Sequence, residues 1–251
     1  MRLSFGAWWL LRNDQISAAL LEDAFEGEEH RFAERYLQPG MTVLDIGANQ
    51  GYYTLLASSK VGPAGRVLAF EPSLREIRRL RAHLWLNRCK NVQICTSALG
   101  AAAGAGELHI VLGTESGCNS LRPPEVSQPT SLHRVLVERL DDVLKAREIE
   151  CVDFIKLDVE GAELSVLQGA SELLRRLPRP VILAEVQDIR TQPWGYRAGE
   201  ILSFLSALEY QWFQLMPDGN TEALALGRPT YDGNFFAIPR ERIASLTGLG
   251  V

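Results

Sequence analysis

Five short apolar runs in this chain each end on a charged or polar side chain and lead into a pattern with helical spacing. The first is "VLDIGANQGYYTLLA", Val43 to Ala57, in which a strand-like run meets Asp45, a Gly-Ala-Asn-Gln-Gly turn and then a helical pattern. "RVLAFEP", "NVQICTSAL", "CVDFIKLDVEG" and "RPVILAEV" repeat the arrangement, with "SLREIRRLRAHLWLNRC", "AELSVLQGASELLRRL" and "AGEILSFLSALE" among the helices between them. Strands joined by helices through short connections lie parallel with right-handed crossovers. The expected fold is therefore α/β, with helices on both faces of a mostly parallel sheet.

Within this frame, Ser73 is an expected N-cap, and Glu76 three residues on completes a capping box. Residues 15–37 read as one helix, stopped by "QPG". "GAGELHIVLG" and "HRVLVERL" alternate like exposed or antiparallel strands and form a small β insertion after the third strand. Thr114 to Ser131 between them is rich in Ser, Pro and Gly, the mark of a lid or binding loop. "YQWFQLMPDGN" and "GNFFAIPR" read as a closing antiparallel pair. The expected division is an N-terminal helical segment (1–40) packed on the core, one domain (41–240) and a C-terminal tail (241–251).

Charge narrows the partners. The net charge is −5 and the pI about 5.5, so no bulk attraction to nucleic acid or anionic membrane is expected. Arg75, Arg78, Arg79 and Arg81 read as a solvated helix face. Cys89, Cys95, Cys118 and Cys151 have no metal-ligand spacing and suggest no disulfide framework. Cys151 reads as a small core residue, and a reducing cytoplasm is the expected compartment. "MRLSFGAWWLLRND" is too short to span a bilayer and lacks a cleavage site. Trp8 and Trp9 are expected to pack on the domain rather than to cover a pocket.

Sheets of this kind bind ligands beyond the carboxyl ends of their strands, and Asp45, Glu71, Ser97, Asp158 and Glu185 all fall there. Gly47 and Gly51 permit a sharp turn and close approach of a ligand. The turn is not the G-x-G-x-x-G of a dinucleotide site and lacks the Lys-Ser/Thr of a phosphate loop. Asp45 would repel phosphate and attract an ammonium group. Glu71 can accept two ribose hydroxyls, and Ser97-Ala98-Leu99 can frame an adenine edge. Taken singly, Asp45 is also a helix N-terminal charge partner and "FEP" a plain strand exit. Together, an ammonium, a ribose and an adenine without pyrophosphate describe S-adenosylmethionine.

"VLDIGANQGYYTLLA", "VLAFEPS", "SALG", "LDDVL", "VDFIKLDVEGAELSVLQGA" and "ILAEV" resemble the FkbM family of S-adenosylmethionine-dependent methyltransferases over about residues 26 to 240. The resemblance implies a class I, Rossmann-like fold with a seven-stranded sheet whose last strand is antiparallel. It also implies methyl transfer to oxygen, often on a polyketide, sugar or other secondary metabolite. By motif, it places Asp45, Gly47, Asn49 and Gly51 on the amino-acid part of the cofactor, Glu71 on the ribose and Ser97-Ala98 near the adenine.

Methyl transfer from a sulfonium needs an oxygen nucleophile in near-attack geometry and, for an alcohol, a base. Lys156, Asp158 and Glu160 share one side of a strand, and Glu185 ends a neighbouring one. Three readings stay open. Asp158 or Glu185 is the general base; the two hold a divalent cation such as Mg²⁺; or Lys156, Asp158 and Glu185 form a structural ion network, with Glu163 a first-turn helix acid. Asp158 also faces the cofactor. His109 and His133 are weaker candidates for the base, and Asn119, Ser120 and Asn234 for cleft contacts.

The leading expectation is O-methylation of a small-molecule hydroxyl by a monomer or homodimer. Transfer to nitrogen or to a protein, a nucleotide-binding oxidoreductase and a cofactor-binding scaffold without catalysis are the alternatives.

Overall fold

A computed structural model describes residues 1–216, 220–244 and 246. The strands are β1 (Thr42–Ile46), β2 (Arg66–Phe70), β3 (Val92–Cys95), β4 (Ala98–Leu99), β5 (Gly104–Val111), β6 (Thr130–Glu138), β7 (Phe154–Leu157), β8 (Val181–Gln187), β9 (Tyr210–Leu215), β10 (Thr221–Ala223) and β11 (Asp232–Pro239). The main sheet runs in the order β10-β9-β11-β8-β7-β1-β2-β3. Its β3, β2, β1, β7 and β8 are parallel, while β11 inserts antiparallel between β8 and β9. Among the described residues the sheet thus has eight strands rather than the expected seven. The extra one is the three-residue edge strand β10, paired with β9. Residues 217–219, between these two strands in sequence, lie outside the described residues, as do 245 and 247–251 of the expected tail.

The β insertion forms as expected, with one correction. The third strand stops at Cys95, and Ala98–Leu99 leave the main sheet to pair parallel with β6. β5 and β6 pair antiparallel with each other, so these two alternating segments find partners within the chain.

Both faces of the main sheet are covered, and the period of two decides which side chain meets which cover. Leu44, Ile46, Leu68, Phe70, Ile155, Leu157, Ile182 and Ala184 belong to one buried cluster, shared with the helices after β6, β7 and β8. Val43, Val67, Phe154, Val181, Leu183 and Phe236 belong to the other, shared with the N-terminal segment through Trp9, Phe32 and Tyr36. A fully buried side chain of this size contributes about 1.5–3 kcal/mol. The second face carries the consequence for function. Following the alternation, Asp45 continues Val43, Lys156 and Asp158 continue Phe154, Glu185 continues Leu183, and Asn234 precedes Phe236. Five polar side chains therefore emerge under the N-terminal cover at one end of the sheet.

That cover is not the single helix expected over 15–37. Helices Gln15–Leu21 and Gly27–Tyr36 are separated by a bend in which Asp23 and Glu26 take left-handed backbone angles, φ 55° and 41°. None of the described helices is long and apolar enough to cross a membrane.

Candidate functional site

The turn after β1 is built by close approach. Gly47 has φ +88°, and a Cβ on it would collide with the Asp158 carbonyl oxygen at the end of β7. Its N–H and that of Ala48 both donate to the Phe70 carbonyl, tying the turn to the end of β2. Asn49 is left-handed, φ 48°. Gly51, φ +97°, opens the helix Tyr52–Val61. The spacing read in the sequence is thus the geometry of two strand ends joined by a tight loop.

Glu71 is buried and accepts from the Asn49 N–H at 2.8 Å and the Ser73 N–H at 2.7 Å. The second bond revises the capping box. The Ser73 hydroxyl does accept from the Glu76 N–H at 3.5 Å, but the Ser73 N–H goes to Glu71 while Glu76 pairs with Arg75 and Arg79. Burial raises the Glu71 carboxyl to about 8 despite these two amides. Each oxygen keeps acceptor capacity beyond its one N–H. Asp45, buried 2 % exposed, accepts from the Thr54 hydroxyl, and burial lifts it to about 6.

Glu71 and Pro72 open onto a cleft also lined by Ser97, Ala98, Leu99, Asn119 and Leu121. The Ser97 hydroxyl and the Asn49 side-chain carbonyl are buried there without a hydrogen-bond partner. Buried polar atoms are nearly always paired, so these two mark where a ligand's polar groups fit. Asn119 itself is occupied, accepting from the Val111 N–H and from Arg75. Ser120 donates to the Glu160 carbonyl at 2.8 Å.

A second cleft, sharing Gly47, Asn49, Asp158 and Glu160 with the first, runs beneath the N-terminal cover. Its walls include Trp9, Phe25, Tyr52 and Tyr53. Lys156 is its centre, buried within β7 beside Asp45 of β1 in register. The ammonium donates to Asp158 at 3.2 Å and Asn234 at 3.1 Å, lies 3.5 Å from Glu26, and sits 5.1 Å over the Tyr53 ring. Burial opposes its charge, but Glu26, Asp158 and Glu185 outweigh burial and hold it above the ordinary lysine range. Of the network read in the sequence, Lys156 pairs directly with Asp158, while its other direct ion-pair partner is Glu26 rather than Glu185; Asp158 and Glu185 do converge on one spot.

Three further carboxylates crowd this end. Burial and the Asp158 charge raise Glu160 to about 8, although Arg190 lies 2.9 Å from it. Burial pushes Glu185 well up, with Asp158, Glu160 and Glu163 adding to it. Glu163 accepts from the Val159 and Gly161 N–H groups at 3.0 and 3.2 Å, a helix-start role, and burial raises it to about 7.

Glu26, Tyr53 and Arg190 are absent from the sequence-based candidates. Glu26 lies at the left-handed bend and accepts from the Tyr53 hydroxyl at 2.6 Å. Arg190 comes from a four-residue helix after β8, Asp188–Thr191, too short to leave a periodic signal.

Other expectations resolve differently. His109 and His133 lie on β5 and β6, opposite Leu132 and Leu108, outside both clefts. Trp9 is buried, stacks on His83 with ring centroids 4.0 Å apart and also lines the second cleft, whereas Trp8 is half exposed. Arg75 and Arg79 are not a solvated face: Arg75 donates to the Val111 carbonyl and Arg79 pairs with Glu76 and Asp14. Cys151 is exposed; the buried thiols are Cys95 and Cys118, and all four are free. The loop after β5 does reach the site, since Asn49 donates to the Ser116 carbonyl and Gly117 lines both clefts.

Residues 45–212 match the family described as Methyltransferase FkbM domain. Among curated relatives, the AMB antimetabolite synthetase AmbE of Pseudomonas aeruginosa is 30 % identical over 67 % of this chain, which spans 9 % of that protein. Methyltransferase 1 of Beauveria bassiana is 28 % identical over 52 % of this chain and 58 % of its own length. The 31-O-demethyl-FK506 methyltransferase FkbM of Streptomyces tacrolimicus is 29 % identical over 61 % of this chain and 68 % of its own. A solved O-methyltransferase from Bacillus cereus in complex with S-adenosylhomocysteine superposes with a TM-score of 0.48 at 15 % identity, covering 86 % of this chain and 80 % of that one.

Proposed function

The chain belongs to the FkbM methyltransferase family, and on that premise we propose that it methylates a hydroxyl oxygen of a small molecule with S-adenosylmethionine as donor. The observation that carries this reading is the pair of acids at adjacent strand ends. Buried Asp45 and Glu71 flank a turn whose Asn49 side-chain Oδ1, like the Ser97 hydroxyl beyond it, is buried and unpartnered. That donor and acceptor set fits a nucleoside with an ammonium arm. Glu71 would hold the ribose hydroxyls, Ser97 and the Ala98-Leu99 wall the adenine, and Asp45, Gly47, Asn49 and Gly51 the amino-acid arm.

The bound cofactor supplies an electrophilic methyl group and a neutral thioether leaving group. What remains falls to the chain. The second cleft orients the acceptor against the aromatic walls of Trp9, Phe25, Tyr52 and Tyr53, which lowers the cost of reaching the near-attack geometry. With no ion bound, Asp158 and Glu185 are the groups placed to take the acceptor's proton; with a cation on these carboxylates, lowering of the acceptor's pKa by the ion would replace them in that part. Lys156 acts through Asp158: its ammonium fixes that carboxylate and Asn234 in position. The Streptomyces relative is named for a 31-O-demethyl acceptor, which supports oxygen as the accepting atom here.

A second reading rests on one specific feature. Glu26, Asp158, Glu160 and Glu185 line the acceptor side together with aromatic rings, a lining that suits a cationic amine and methylation of nitrogen. Neither nucleic acid nor membrane is proposed as a partner, and a cytoplasmic monomer or homodimer is the proposed state.

Calorimetric titration with S-adenosylhomocysteine, comparing wild type with Glu71→Ala, tests the cofactor assignment. Binding by wild type and its loss in a folded variant support it, and no binding by folded wild type overturns it. Mass spectrometry of methylated products from paired alcohol and amine acceptors then decides between oxygen and nitrogen.

A further inference from the structure

At the end of β7 and β8, Asp158, Glu160 and Glu185 each offer an oxygen, and the three atoms lie within 4.8 Å of one another. These carboxylates come from different local structures. Asp158 follows β7, Glu160 sits in the bend after it with a left-handed φ of 55°, and Glu185 is within β8. The Glu185 Oε2 is itself buried and has no hydrogen-bond partner. Lys156 compensates Asp158 at 3.2 Å and Arg190 compensates Glu160 at 2.9 Å. Nothing of positive charge pairs directly with Glu185 among the described residues. Lys156, moreover, is shared with Glu26 at 3.5 Å.

We propose that Asp158, Glu160 and Glu185 form a site for one hard divalent cation, Mg²⁺ or Mn²⁺, at the junction of the two clefts. The donor set is all oxygen, which selects hard cations over Zn²⁺ or Cu²⁺. Burying several like charges is costly unless a counter-charge or protons neutralise them. A divalent ion answers that cost without protonation and keeps coordination positions for water or an acceptor oxygen, since three carboxylates leave part of an octahedron open. Glu163 stays outside the set, its Oε1 held by two backbone N–H groups. The cation would bind this chain alone, whichever cofactor the first cleft takes, so the proposal stands apart from the methyltransferase reading.

The test is titration of the whole chain with Mn²⁺ in the absence of cofactor, followed by the electron paramagnetic resonance signal of free Mn²⁺. One saturable site per chain, competed by Mg²⁺, is expected. Outer-sphere partners alone change metal affinity by about 10–100-fold, so loss of a ligand oxygen in Glu185→Gln should weaken binding by at least about tenfold. Glu160→Gln should do the same, and carries the test if Glu185→Gln does not fold. Glu222→Gln, on the exposed edge strand, should bind as wild type does. Absence of a saturable site in folded wild type overturns the proposal. So does binding that is unchanged in both variants, which would assign the ion to scattered surface acids. Separate titration with S-adenosylhomocysteine keeps the two failures distinct, because a chain that binds it but no Mn²⁺ loses only the metal.

Discussion

Gly47 and Asp158 occupy strand ends that approach until only a hydrogen fits between the Gly47 backbone and the Asp158 carbonyl oxygen. Gly47→Ala must therefore push apart β1 and β7, and it also carries the left-handed penalty of about 1–2 kcal/mol. A loss of more than about 2 kcal/mol in denaturant unfolding is expected, with S-adenosylhomocysteine binding abolished. Wild-type stability in this variant would mean that the turn relaxes and that the approach is not essential.

Thr54 supplies the hydroxyl that Asp45 accepts. Thr54→Val keeps the shape and removes the donor. A buried acceptor left unpaired costs about 1–3 kcal/mol. The Asp45 carboxyl should also rise further above about 6, since a bond favouring its charged form is gone. Carbon-13 NMR titration of the Asp45 carboxyl and a denaturant melt read the two effects.

The raised carboxyls set the sign of the pH response. Asp45 at about 6 and Glu71, Glu160 at about 8 bind protons more tightly folded than unfolded. Their stabilising contribution is fully present below the unfolded carboxylate range. It is lost as pH rises through these folded values. The cofactor-free chain should melt at a lower temperature at pH 8.5 than at pH 5. Glu185→Gln should shrink that difference by removing one of the coupled acids. A melting temperature that climbs over this interval would contradict the assignment.

Lys156 is the shared counter-charge of Glu26 and Asp158. Removing one partner of a buried pair costs about 3–5 kcal/mol, so Lys156→Met should destabilise strongly. Adding Glu26→Gln should restore part of the loss. A double-mutant cycle measures the coupling, and additive effects would show that the two do not act on each other.

His109→Ala and His133→Ala should leave kcat and KM within about twofold of wild type, because both rings lie outside the clefts. A large fall in kcat with either would place the acceptor on the small sheet.

The strand ends were readable because period two and short βα connections are local signals, and acids at the tips of apolar runs have few other places to go. Asp45, Glu71, Asp158 and Glu185 follow from that logic alone. Glu26 does not. It reaches Lys156 across 130 residues of sequence, from a bend made by non-glycine left-handed residues that no turn motif announces. Ala98 departs from its expected strand for a related reason: its apolar run continues that of β3, and only pairing with β6, far along the chain, draws it into the other sheet. Glu76 satisfied a capping pattern, but three dimensions offered it two arginines and gave its partner amide to Glu71.

Gln50, in the turn between β1 and its helix, donates through one amide to Asp14 at 2.8 Å and to Ser116 at 3.4 Å. One belongs to the N-terminal cover and the other to the loop after β5, so a single side chain clasps both walls of the entrance. The same turn carries Gly47, Asn49 and Gly51. Whatever settles into that turn adjusts the clasp, and whatever enters between the walls pulls on the turn. Affinities for two guests coupled through this side chain would each alter the other by the same factor, whichever binds first.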